Sequence, residues 1–158
     1  MLNKDFKEFV ELLNGHGVEY LVVGGYALAA HGHPRATGDI DFWIGKRPEN
    51  IAKLMTVLTE FGFASLRLSE SDFTREDAVI QLGYPPARID LMTAIDGVSF
   101  DECFARRVTA TLGGSTLTLI GLQDLRANKL ASGRLKDLAD LEALDDRSAD
   151  SQDRPDSR

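Results

Sequence analysis

Asp39 and Asp41 stand one residue apart in the run Asp39-Ile40-Asp41-Phe42-Trp43-Ile44, and a third acid, Asp90, lies inside Ala87-Arg88-Ile89-Asp90-Leu91-Met92-Thr93. Aspartate is depleted in strands, yet both runs otherwise have strand composition. On a strand, residues i and i+2 share a face, so Asp39 and Asp41 project together while Ile40 and Phe42 face the other way. Two carboxylates so close repel each other, and a hard cation between them removes the repulsion. Mg²⁺ or Mn²⁺ takes oxygen ligands of this kind, typically one or two carboxylates plus substrate phosphates. If the strand of Asp90 lies beside that of Asp39 and Asp41, three carboxylates converge. Such a cluster can hold two metal ions for an in-line displacement at phosphorus. The competing reading, a solvated strand face, accounts for one acid more easily than for three on two apolar strands.

A second feature lies just upstream. Gly24-Gly25 separates a β-branched run, Val18 to Val23, from the helix-forming stretch Tyr26-Ala27-Leu28-Ala29-Ala30-His31-Gly32. A strand, two glycines and a helix expose backbone N–H groups to an anion, so a phosphate site is one reading and a plain turn the other. Thirteen residues separate the glycines from Asp39, room for one short helix to return the chain so that loop and acids lie side by side. Arg35 and Thr37 immediately precede the acids. The arginine could bind a phosphate oxygen or a leaving pyrophosphate, or pair with one of the acids. Lys129 could reach a triphosphate as a point charge, or lie on a solvated helix face. It belongs with Gly133, Lys136, Asp137 and Asp140 to a polar stripe if the last two helices are continuous, with Leu122, Leu125, Leu135, Leu138 and Leu141 on the buried side. His31 and His33 are loop residues within reach of substrate. Trp43 shares the face of Asp39 and Asp41, either stacking on a base or filling the core or its rim.

The elements that must position these residues follow from periodicity. A helix spans about Lys4 to Asn14, with Phe6, Phe9, Val10 and Leu13 on one face. Strands follow at Val18–Val23 and Asp39–Ile44, with a short helix between them. Pro48 opens a helix that Gly62 closes. Residues 63–77 show no clear pattern. Two strands, from Ala78 and from Ala87, flank a turn at Tyr84-Pro85-Pro86. A hairpin turns at Gly113-Gly114. Helices near Leu122–Ala131 and Leu135–Leu144 close the domain. The fold class expected is α/β in the α+β sense, a mixed sheet with helices packed mainly on one side. One domain covers residues 1–144. The tail, 145–158, has a single alanine as its only apolar residue and is expected to be disordered.

The totals narrow the function classes. The chain of 158 residues is 43% hydrophobic, enough for a real core, and its net charge of -7 argues against a broad nucleic-acid-tracking surface. No apolar run approaches the length of a membrane span. The single cysteine, Cys103, excludes an internal disulfide and a cysteine-built zinc site. The opening residues mix both charge signs without a secretory apolar core, so a cytoplasmic protein with no membrane association is expected.

Val23-Gly24-Gly25, the spacer and Asp39-Ile40-Asp41-Phe42 resemble the motif of the polymerase-β-type nucleotidyltransferase superfamily, and Asp90 stands where its third carboxylate is expected. The resemblance covers about Val18 to Thr93. It implies the nucleotidyltransferase fold, Asp39 and Asp41 as metal ligands, Asp90 as ligand and base, and Gly24-Gly25 as the loop for a nucleoside triphosphate. The run from Gly24 to Asp41 is similar to small prokaryotic nucleotidyltransferase-like proteins akin to the toxins of abortive-infection toxin–antitoxin pairs. So is Asn128-Lys129 through Asp137-Leu138-Ala139-Asp140. This implies transfer of a nucleoside monophosphate to a hydroxyl of tRNA or protein, with an antitoxin as partner. Transfer to a small molecule, as in antibiotic-modifying relatives, is the enzymatic alternative. A non-catalytic nucleotide-binding or interaction module of the same fold is the alternative from another class, and three intact acids argue against it.

Overall fold

Alternation along the strands sends side chains into two separate cores. In the computed structural model, which describes residues 2–33, 38–84 and 86–153, six strands form one mixed sheet in the order β3-β4-β2-β1-β6-β5. The strands are β1 (Tyr20–Val23), β2 (Ile40–Ile44), β3 (Val79–Leu82), β4 (Ile89–Met92), β5 (Val108–Leu112) and β6 (Ser115–Leu119). β1 runs antiparallel to β2 and parallel to β6, while β2 and β4 are parallel neighbours. β3–β4 and β5–β6 are antiparallel pairs.

Tyr20, Val22, Ile40, Phe42, Ile44, Ile89 and Leu91 point to one face, where they meet α1 (Lys4–Gly15) and α3 (Pro48–Phe61) in the larger core. Asn3 caps α1 by accepting from Asp5 N–H. α3 begins on Pro48, whose missing N–H costs nothing in a first turn, and ends on Gly62 in the left-handed conformation. This is the expected mixed α+β sheet, but the helices, expected mainly on one side, are divided between its two faces because alternate strand residues are apolar on both.

A second, smaller core occupies the opposite face. Leu21, Val23 and Trp43 meet residues of α2 (Gly24–Ala30), α4 (Phe100–Ala105), α5 (Leu122–Ser132) and α6 (Leu135–Asp153) there. α4 does not emerge from sequence periodicity because six residues are under two turns. Residues 63–77, patternless in sequence, contain two short 3₁₀ turns, Ala64–Leu66 and Glu70–Phe73.

α6 departs from expectation twice. Its helical backbone runs to Asp153, into the segment expected to be disordered from Asp145. Once a helix is nucleated, each added residue gains a hydrogen bond, so a polar composition does not by itself stop it. Residues 154–158 lie outside the described residues. Its buried side is also not the side of Leu135 and Leu138. Leu135 is 87% exposed and Leu138 42% exposed, whereas Asp137, Asp140 and Leu144 are buried. Among the described residues, no helix is long and apolar enough to cross a membrane.

Candidate active site

The parallel ladder of β2 and β4 sets Asp41 directly beside Asp90. Both point to the face of the smaller core, together with Trp43 one pleat further on. Asp39 precedes β2 and lines the same cavity of about 730 Å³. The antiparallel β1–β2 ladder pairs Val23 with Asp41, which brings the start of α2 against the acids. Gly24 has φ of +69°, and a Cβ at that position would overlap the Asp41 carboxylate. Glycine is thus required here by backbone conformation and by the approach of the acid. Gly25 lines the cavity next to it.

The electrostatics of this corner are unbalanced. Burial raises the Asp41 carboxyl, and the charge and hydrogen bond of Asp90 and the charge of Asp39 push further, to about 6 against the opposing charge of Lys136. Arg88, two residues before Asp90, answers part of this field. Its Nε donates to Asp90 Oδ1 at 2.8 Å and its Nη2 to Asp90 Oδ2 at 3.1 Å. The same Nη2 lies 2.9 Å from Asp39 Oδ2. The three acids are therefore gathered on one face, but Asp39 and Asp90 are turned onto a guanidinium. Among the described residues, no three Asp, Glu, His or Cys side chains stand ready as a metal cage.

A family model described as a nucleotidyltransferase of unknown function (DUF6036) matches residues 2–145. The chain belongs to this family. A search of curated proteins gave no significant match. Among solved structures, a candidate nucleotidyltransferase from Thermotoga maritima, TM1012, superposes with a TM-score of 0.60 at 14% identity. The match covers 90% of this chain and 91% of that one. At that identity the likeness concerns the fold, and it agrees with the mixed sheet described above.

The far wall of the cavity in this DUF6036 chain comes from α5, α6 and the connection between them, with Asn128, Lys129, Ser132, Arg134 and Lys136. Lys129 is not an extended surface cation. Its Nζ lies 3.1 Å from Asp137 Oδ1 and 3.2 Å from Asp140 Oδ2, and all three residues are buried. Asp137 also accepts from Ser132 Oγ and, at 2.6 Å, from Arg134 Nε. Burial alone would raise its carboxyl, but the hydrogen bonds from Ser132, Arg134 and Lys129 outweigh burial and hold it at about 2. This network locks α5 to α6 and explains why the acids of α6 face inward.

The remaining sequence candidates separate. Arg35 and Thr37 lie outside the described residues. His31 does not line the acid cavity; its Nε2 lies 2.8 Å from the Ile120 carbonyl oxygen. Trp43 is 2% exposed and stacks edge-on against Phe100, so it is a core residue rather than a platform for a base. Arg106 makes a two-point pair with Asp124 that fastens the end of α4 to α5. Sequence reasoning missed Arg88. Its signal was present: a cation two residues before a strand acid shares that acid's face.

Proposed function

We propose that this chain is a metal-dependent nucleotidyltransferase that moves a nucleoside monophosphate from a nucleoside triphosphate to an acceptor hydroxyl. The observation carrying this reading is the Asp41–Asp90 register, with Gly24 packed against the Asp41 carboxylate. Asp39, Asp41 and Asp90 are the residues that would hold Mg²⁺ or Mn²⁺. Their fit rests on an oxygen-only donor set and on a field strong enough to raise Asp41 and to draw in a guanidinium. When bound, such an ion neutralises phosphate oxygens in phosphoryl transfer.

The protein's own groups supply the rest. Gly25 carries no side chain at the cavity wall, so a triphosphate can approach the backbone there, while the space beside Gly24 is taken by the Asp41 carboxylate. Arg134 and Lys136 face the acids from the opposite wall and offset phosphate charge. The acceptor oxygen attacks the α-phosphorus, the bond to the β-phosphate oxygen breaks, and pyrophosphate leaves. The hydroxyl proton passes to a carboxylate, the role that the family resemblance gives to Asp90. The resemblance to toxin-type relatives favours a hydroxyl of tRNA or protein as acceptor, and a toxin role with an antitoxin partner.

The test is incubation with each α-labelled nucleoside triphosphate, Mg²⁺ and cell extract, followed by nuclease and protease digestion. Label in a macromolecular fraction, absent with Asp41→Asn, is the expected result. Label confined to small molecules would move the acceptor to the antibiotic-modifying class. No transfer from any triphosphate, or full transfer by the variant, would overturn the enzyme reading.

A further inference from the structure

Arg88 occupies a place that the proposed reaction needs for something else. Its guanidinium bridges Asp90 and Asp39 through contacts of 2.8, 3.1 and 2.9 Å. Asp90 is nearly fully buried, yet the Arg88 side chain is 26% exposed and borders the cavity. The guanidinium thus sits where buried carboxylates meet the open site. Its backbone is fixed, since Ile40 N–H donates to the Arg88 carbonyl oxygen at 3.1 Å. Movement is left to the long side chain. A planar fork of donors matches a carboxylate and a phosphate equally well, and a two-point pair with either is strong.

Resting on the three-carboxylate reading above, we propose that Arg88 is an internal counter-cation. It guards the acids against a metal ion until a polyphosphate arrives, and then transfers its two-point contact to the phosphate oxygens. A divalent ion entering alone must compete with the guanidinium for oxygens of both Asp39 and Asp90. A triphosphate offers the guanidinium an equivalent partner and frees those oxygens. Each ligand then favours the other, as reciprocal coupling between sites requires. Arg88 is on this account a positioning residue that sets the order of binding.

The test uses the full chain and two probes measured separately by calorimetry: Mn²⁺ alone, and inorganic tripolyphosphate in EDTA. Arg88→Met removes the charge and the donors while keeping much of the apolar stem. Mn²⁺ should bind the variant about tenfold more tightly than wild type, and tripolyphosphate about tenfold more weakly. Opposite signs cannot come from a general loss of structure. Arg88→Lys, which keeps a charge but not the fork, should fall between the two and serves if Arg88→Met does not fold. Equal or weaker Mn²⁺ binding by the variants, with wild type binding Mn²⁺ measurably, would overturn the assignment of Arg88 alone. So would unchanged tripolyphosphate affinity. If neither wild type nor variants bind Mn²⁺, the three-carboxylate reading falls with it.

Discussion

Replacing Asp41 by asparagine should stabilise the metal-free protein at alkaline pH. The carboxyl lies beside Asp90 and under the influence of Asp39, and burial and these acids raise it from 3.8 to about 6. That displacement corresponds to about 3 kcal/mol in favour of its protonated form. Because the folded state holds this proton more tightly than the unfolded chain, wild-type stability falls as pH rises through the window from 3.8 to about 6. Asp41→Asn is neutral at every pH, keeps the volume, and retains an N–H donor toward Asp90. Solvent in the open cavity screens part of the repulsion, so a gain of about 2 kcal/mol is expected at pH 8. For a chain of this size that is a rise of roughly 4–8 °C in Tm. The difference between variant and wild type should shrink toward zero below pH 4, where wild-type Asp41 is itself protonated. Urea titrations of both proteins in EDTA at pH 4, 6 and 8 measure it, and comparing the pair cancels the titration of acids remote from Asp41. A variant less stable than wild type at pH 8, or a difference independent of pH, would refute the like-charge account of this corner.

Gly24→Ala should cost at least about 1–2 kcal/mol of stability, since the residue has positive φ and its new methyl meets Asp41; chemical denaturation checks this. Lys129→Met leaves Asp137 and Asp140 buried beside a neutral group, and should lose about 3–5 kcal/mol in the same assay. Leu135→Ser, at an 87% exposed position, should change stability by less than about 0.5 kcal/mol. A large loss there would mean that α6 presents its leucine side to the core after all.

The sequence makes the sheet and the acid face legible for one reason: a period of two is unambiguous where polar and apolar residues alternate on β2 and β4. The same rule puts Asp39 and Asp41 on one face, whereas Asp90 joins them only through the pairing of β4 with β2, which alternation does not reveal. Periodicity misleads on α6, because it assumes that leucine buries and aspartate does not. There the decisive partner is Lys129 on another helix, and a buried cation draws acids inward more strongly than Leu135 and Leu138 are drawn. Helical spacing within one segment contains no information about that charge. Arg88 was overlooked for a related reason. It looks like an ordinary residue at a strand's edge until the ladder brings Asp39 across to it. The second core was hidden because α4 is too short to show a period, and because Leu21, Val23 and Trp43 read as continuations of apolar strands rather than as an opposite face.

The β2–β4 ladder also dictates where this chain can change length. Asp41 meets Asp90 because the two strands are hydrogen-bonded in register, and the connection through residues 45–88 does not set that distance. Insertions among the exposed residues 74–76, just past the buried Phe73, would lengthen a surface path at small entropic cost and leave the carboxylates in place. A single residue inserted within β4 would do the opposite. It would reverse the faces beyond it, sending an aspartate into the larger core and an apolar side chain to the cavity. Natural and engineered length variation should therefore accumulate in that connection and stop at the four residues from Ile89 to Met92.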